Sequence, residues 1–392
     1  MKKILIQNAF VLPMEGEALP RGFVLTGEDG RIAQLGPMSG CPEGADEVYD
    51  AAGGYVLPGL IDAHTHLGLY EDSLGFEGAD GNEDTDPATP HLRAIDAVNP
   101  MERAFAEARE AGVTCCLVSP GSANPIGGEI AAIKTLGRRV DDMIVAAPVG
   151  IKFALGENPK CVYHEKDESP VTRMATAAIL RENLRKAQEY DERKQRALDD
   201  PDEDAPDYEI KYEALLPLLH GEITAHIHAH RADDIFTGLR ICREFGLRPV
   251  IVHGTEGHLV ADLLAQDDVP VLSGPFLTDR SKPELRQLTE AAPGLLRKAG
   301  VRTAITTDHP ETPVKYLRHC AAVAAEHGMD ETEALRAITL YPAQIVGIDS
   351  RVGSLVPGKD ADLVVLSGHP FAFQSRVKLV LCNGQTAYRA DE

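Results

Sequence analysis

The chain of 392 residues predicts an α/β fold, a (β/α)8 TIM-type barrel carrying a small second sheet built from both ends of the sequence. Three observations lead there. Apolar strand-like runs alternate with helical stretches between about residues 56 and 347, and a span of about 290 residues suits eight βα units. Both ends are instead β-rich and dense in turns. Several of the middle runs end in histidine or aspartate.

At the start, Ile4-Leu5-Ile6, Phe23-Val24-Leu25, Arg31-Ile32-Ala33 and Glu47-Val48-Tyr49 are short apolar runs between Gly and Pro turns, so residues 1–55 read as strands. The barrel strands expected next are Leu60–Ala63, Val113–Val118, Met143–Val149, Ile223–Ile227, Pro249–Val252, Val269–Leu272 and Val301–Thr306. The eighth is assigned to Ile151–Leu155, crowded against its predecessor across Gly150. Helices are expected at Pro100–Ala111, Arg173–Tyr190, Asp234–Phe245, Lys282–Ala299 and Val314–His327, and Asp330-Glu331-Thr332-Glu333 opens a last one as a capping box. Residues 160–215 read as a charged helical insertion whose acidic run, 199–204, is a solvated loop. Residues 348–392 return to strands, with Asn383-Gly384 as a hairpin signal. The expected division is therefore 1–55 with 348–392 as one unit, and 56–347 as the barrel.

A net charge of −22 repels polyanions, which argues against nucleic acid and anionic membranes as partners. Trp is absent, so stacking platforms for single strands are not expected either. Seven cysteines form no C-x-x-C pair, which suits a reducing compartment, and no stretch has the length of a membrane span; a cytoplasmic location is the expectation.

The chemistry concentrates at strand ends. Pro58-Gly59-Leu60-Ile61-Asp62-Ala63-His64-Thr65-His66 is an apolar strand closing in His-x-His, and residues two apart on a strand point the same way. At the C-terminal mouth of a barrel, such imidazoles suit zinc and similar transition metals. Glu222–Arg231 carries His226, His228 and His230 on one face; Pro249–Gly254 ends in His253; Ala304–His309 ends in Asp308. Four such endings in one alternating chain converge at a single rim.

This pattern resembles the amidohydrolase superfamily, the metallo-dependent hydrolases that include imidazolonepropionase, dihydroorotase and several dipeptidases. The likeness runs over nearly the whole chain, from Pro58–His66 through the later His, His and Asp to the tail Gly353-Ser354-Leu355-x-Pro357-Gly358-Lys359-x-Ala361-Asp362-Leu363, where that superfamily re-enters a small β-sandwich. The stretches 120–128 and 150–160 resemble a branch close to imidazolonepropionase.

The resemblance implies that His64, His66, His228 and His253 ligate metal and that Asp308 is the remaining carboxylate. His228 is taken over His226 and His230 because it falls where strand gives way to loop. One or two ions, zinc or another divalent transition metal, are implied, with Lys152 as a carboxylated bridge or Glu129 as its alternative. The implied activity is hydrolysis of a C–N bond, other than a peptide bond, in a small amide, cyclic amide or peptide-like molecule. Asp308 would shuttle the proton. Asn124, Asn158, Arg231, His258 and His309 flank the expected mouth as substrate contacts. A ring-amine deaminase or a non-catalytic metal-binding barrel fits the same ligands. The partner expected is a small molecule, with a homo-oligomer also compatible.

Overall fold

Strands buried along their whole length are what a barrel needs, since helices cover one face and the barrel core the other. β6 (Leu60–Thr65), β7 (Val113–Val118), β10 (Thr224–Ala229), β12 (Val271–Ser273) and β13 (Thr303–Ile305) are buried at every residue. With β8 (Ile126–Lys134), β9 (Ile144–Ala154) and β11 (Pro249–His253) they form one eight-stranded sheet in sequence order. The computed structural model describes residues 1–391, so residue 392 of the expected C-terminal unit lies outside the described residues.

The sheet curls into a nearly closed barrel. Between β13 and β6 the carbonyls of Ala337 and Ile338 accept the amides of Ile305 and Ile61, both at 2.8 Å. Nearer the mouth, the Asp308 amide donates to the His64 carbonyl at 3.2 Å and the His66 amide to the His309 carbonyl at 2.9 Å.

One strand runs against the expected pattern. β8 is antiparallel to both β7 and β9, whereas β6 pairs with β7, and β9 through β13 pair in succession, all parallel. The two strands expected at Met143–Val149 and Ile151–Leu155 are a single strand of 11 residues, β9; Gly150 passes through it without a break. The eighth strand is β8, which the sequence hides behind Pro125, Gly127, Gly128 and the polar Glu129. Its far end, Lys134, is buried only because Asp362 and Asp360 approach its Nζ at 2.6 and 3.0 Å.

The helices sit on the outside. The stretch expected to be helical from Lys282 to Ala299 forms only Ala292–Lys298, with Pro293 in its first turn, where proline is tolerated. Conversely, the helix that begins at Arg173 runs on to Asp199 and, with Ile210–Leu219, fills the connection from β9 to β10.

The termini build the β-sandwich. β1 (Ile4–Val11), β2 (Leu19–Thr26), β3 (Ile32–Pro37), β4 (Glu47–Asp50) and β5 (Tyr55–Pro58) join β14 (Leu363–Leu366), β15 (Val377–Cys382) and β16 (Gln385–Arg389). The two ends meet where β14 pairs antiparallel with β5, Leu363 opposite Pro58. Among the described residues, no helix is long and apolar enough to cross a membrane.

Candidate active site

Alternation along β10 sends Ala225, Ile227 and Ala229 into the outer apolar layer, and so turns His226 and His228 inward. β11 delivers His253, whose ring centroid lies 4.6 Å from that of His228 and 5.5 Å from that of His64. His64 and His66, from the end of β6, stand 5.2 Å apart. Asp308, just beyond β13, places Oδ1 3.2 Å from His64 Nε2 and 3.3 Å from His66 Nε2. His253 (φ 72°) and Asp308 (φ 53°) both adopt left-handed backbone, a conformation that costs a non-glycine residue about 1 kcal/mol or more and that clusters at working sites.

Each ring is aimed. His66 Nδ1 is 2.7 Å from the Ser119 carbonyl and His253 Nδ1 is 2.7 Å from the Gly274 carbonyl, so both donate backward and leave Nε2 free. Neither nitrogen of His228 has a partner although the ring is buried, and Asp308 Oδ1 completes no hydrogen bond to the imidazoles beside it. Burial pulls the imidazoles of His64 and His228 well below their ordinary value and that of His253 to about 4. Neutral rings with outward lone pairs are the ligand state. For Asp308 burial opposes ionisation, but the imidazoles of His253, His64 and His66 outweigh it and hold the carboxyl well below the usual carboxylate range.

Lys152 projects from β9 beneath this cluster, fully buried, with Nζ 3.3 Å from His64 Nε2. Burial pulls its amine down to about 8. Among the described residues no carboxylate lies within ion-pair distance of it. Glu129 is elsewhere: its strand neighbours Ile130 and Ala132 belong to the inner core, so Glu129 faces outward, half-buried near Arg93 and Asp96. It is neither the bridge nor the start of a helix.

A set of buried, unpartnered imidazole and carboxylate atoms this close together fits a metal ion. His64, His253 and Asp308 present ligand atoms within 4.8 Å of one another, and His228, His230 and His253 do the same. The second group brings in His230, whose Nδ1 is held 2.7 Å from Thr255 Oγ1 while its ring stacks on His253 at 4.7 Å. His226 lies one layer deeper, its Nε2 3.0 Å from Thr224 Oγ1.

The cluster opens into a cleft of about 460 Å³. Of the residues expected to touch substrate, Asn158 lines it, whereas Asn124, Arg231 and His258 do not. Asn124 is consumed by structure: its Nδ2 donates to the Glu83 carbonyl and Thr89 Oγ1, and its Oδ1 accepts from Tyr163. Arg231 is paired with Asp233 at 2.8 Å on the surface. His309 lines a neighbouring pocket. Sequence reasoning assigned no role to Tyr70, Ser122 and Lys282, which line the cleft, nor to Glu284, buried behind Lys282. It also passed over Asp62, inside the quoted motif, which accepts from Thr306 Oγ1 and Thr307 Oγ1, both at 2.6 Å, and so anchors the segment carrying Asp308.

A metal-binding type of cluster at the C-terminal mouth of a barrel, with a β-sandwich made from both termini, defines a metallo-dependent hydrolase architecture. The chain belongs to the Amidohydrolase family, whose model matches residues 55–387. It is similar to an amidohydrolase of Thermotoga maritima MSB8, with 41% identity and a TM-score of 0.95 over 99% of this chain and 100% of that one. Amidohydrolase tasK of Hapsidospora irregularis is 29% identical over 91% of this chain, which spans 38% of that protein's length. The imidazolonepropionase of Acidiphilium cryptum (strain JF-5) is 27% identical over 90% of this chain and 88% of its own. The chain thus lies near the imidazolonepropionases within the superfamily.

Proposed function

We propose that the protein is a metal-dependent hydrolase that cleaves a C–N bond in a small amide, cyclic amide or peptide-like substrate. The observation that carries this reading is the convergence of His64, His66, His228, His253 and Asp308 from four different strand ends, with both nitrogens of His228 and Oδ1 of Asp308 buried and unpartnered. These five side chains would hold one or two divalent ions, zinc being the expected one, with Lys152 joining them as a carbamate. When bound, such an ion supplies a Lewis acid and a water ionised near neutral pH.

The chain's own residues then have distinct duties. His66 and His253 keep fixed orientations through the Ser119 and Gly274 carbonyls. Asp308, ionised and facing the cleft, accepts the proton of the attacking water on a carboxylate oxygen and passes it to the departing nitrogen. Asp62, through Thr306 and Thr307, holds that carboxylate at the mouth.

The test is metal analysis of the purified full-length chain together with a substrate panel that scores N-acyl hydrolysis, ring opening and ammonia release separately. Bound transition metal with amide hydrolysis or ring opening is the expected result. Ammonia release from ring amines alone would move the protein to the deaminases, and bound metal with no turnover across the panel would make it a binding barrel. Absence of metal even after zinc is supplied would overturn the reading.

A further inference from the structure

The wall of the cleft opposite Asp308 holds a relay of polar groups whose directions are fixed by elementary hydrogen-bond accounting. Lys282 Nζ lies 2.9 Å from Glu284 Oε1 and 2.7 Å from Asn158 Oδ1. An ammonium only donates, so the amide of Asn158 must turn its oxygen toward Lys282 and its NH2 toward Ser122. Asn158 Nδ2 is 2.6 Å from Ser122 Oγ, which therefore accepts. The hydroxyl hydrogen of Ser122 and the third hydrogen of Lys282 are left without a protein acceptor, and both residues line the cleft.

The rest of the wall holds these donors still. Glu284 is buried, and its Oε2 accepts the Glu157 amide at 3.1 Å, at the start of the helix Glu157–His164. Its Oε1 holds the Lys282 ammonium by charge, at 2.9 Å and without closing a hydrogen bond, and also faces His230 Nε2 at 3.6 Å. The same oxygen lies 3.9 Å from His228 Nε2, so the ammonium stands one side-chain oxygen away from the imidazole cluster. Among the described residues, Lys282 is the one Lys or Arg in the cleft lining.

Resting on the hydrolase reading above, we propose that the substrate carries a carboxylate, held at this end of the cleft by Lys282 Nζ and the Ser122 hydroxyl. Lys282 Nζ and His228 Nε2 flank the same Glu284 oxygen, at 2.9 and 3.9 Å, which suits a carboxylate a few bonds from the scissile carbon, as in an N-acyl amino acid or the open side chain of a cyclic amide. A monoanion is the fitting charge, because the buried Glu284 carboxylate lies 2.9 Å behind Lys282 and Glu311 lines the cleft on the Asp308 side, and both would repel a second one. A neutral group without acceptor oxygens leaves two donors unsatisfied where they were desolvated, and binds more weakly for that reason.

The test uses two probes that contain no C–N bond and so cannot be turned over: 4-methylpentanoate and its neutral isostere 5-methylhexan-2-one. Each is titrated calorimetrically into the full-length, metal-loaded protein. The carboxylate should bind at least about tenfold more tightly, the scale of one charge-assisted hydrogen bond. In Lys282→Met that preference should collapse to near parity. Ser122→Ala, which leaves the Lys282–Glu284 pair in place, should weaken the carboxylate by about fivefold and serves if Lys282→Met does not fold. Equal binding of both probes to the wild type overturns the proposal. So does a preference that survives in Lys282→Met, since the carboxylate would then be held by the metal, and so does unchanged affinity in Ser122→Ala. A wild type that shows the preference yet hydrolyses nothing would leave this inference standing and sink the functional reading alone. Turnover of amides without the preference would do the reverse.

Discussion

Replacing Lys134 with methionine should weaken the junction between barrel and sandwich by several kcal/mol while leaving the chemistry alone. Lys134 Nζ lies 2.6 Å from Asp362 and 3.0 Å from Asp360, and all three side chains are at most 8% exposed. Burial disfavours the ammonium, but Asp362 and Asp360 overcome that and hold its pKa above the ordinary lysine value. After the substitution Asp360 keeps Arg351 at 2.8 Å. Asp362 keeps only the Asn383 amide at 2.8 Å. One buried carboxylate is thus stranded, and removing one partner of a buried pair costs about 3–5 kcal/mol. An unfolding entropy scaled to this chain length, roughly 0.8 kcal/mol per degree, turns this into a fall in Tm of about 4–6 °C. The chain has no Trp, so calorimetry or circular dichroism is the assay. Lys134→Met combined with Asp362→Asn should recover most of the loss, because a pair removed together leaves no orphan charge. Because Lys134 ends the strand that runs away from the mouth, kcat of the folded fraction should not change. A fall under about 1 °C, or a double variant no better than the single one, would refute the argument that the pair is electrostatically closed.

Asp62 gives a pH signature. Burial raises its carboxyl from 3.8 to about 6, so the charged form is penalised in the folded state; stability from this group is present below about pH 4 and lost as pH rises through about 6. The melting difference between wild type and Asp62→Asn, measured from pH 4.5 to 7, should shift in favour of the variant by on the order of 2 kcal/mol, and a gap that does not move with pH would remove the burial argument. Asp308→Asn should lower kcat by a factor of about 10² to 10⁴ with circular dichroism unchanged; near-normal turnover would exclude it as the proton shuttle. Chelation should lower Tm by about 3 °C, the equivalent of losing an ion held at roughly a hundred times its Kd, and equal melts with and without chelator would argue against a resident ion.

Much of the architecture was legible because burial leaves its mark on sequence. Largely apolar runs at β7 and β11 gave away parallel strands, and the His and Asp residues at or just beyond the ends of β6, β10, β11 and β13 marked the mouth. β8 was not legible, since glycines and a glutamate at its start look like a loop and only pairing with β7 and β9 makes them a strand. The short helix after Lys282 was over-extended because apolar periodicity continues through residues that pack as an irregular loop. For the cleft, Asn158 was within reach of sequence reasoning, while Asn124 was misleading: a polar residue beside a glycine-rich turn is as readily a brace as a contact. Lys282 opens an expected helix and Ser122 lies in the glycine-rich stretch 120–128, and neither setting marks a contact; only the folded wall shows which hydrogen atoms they have left to give.

The reversal of β8 also decides where this scaffold can vary. A barrel of eight parallel strands presents eight strand-to-helix loops at the catalytic rim, but here one strand arrives at that rim by its beginning, beside Gly127, whose absent Cβ would meet Lys152 Cγ at 3.3 Å. Seven loops therefore remain to be traded for new specificities. The hairpin spanning 135–143 hangs from the opposite pole, a place where added peptide, a tag or a tether can be accommodated without the active centre sensing it.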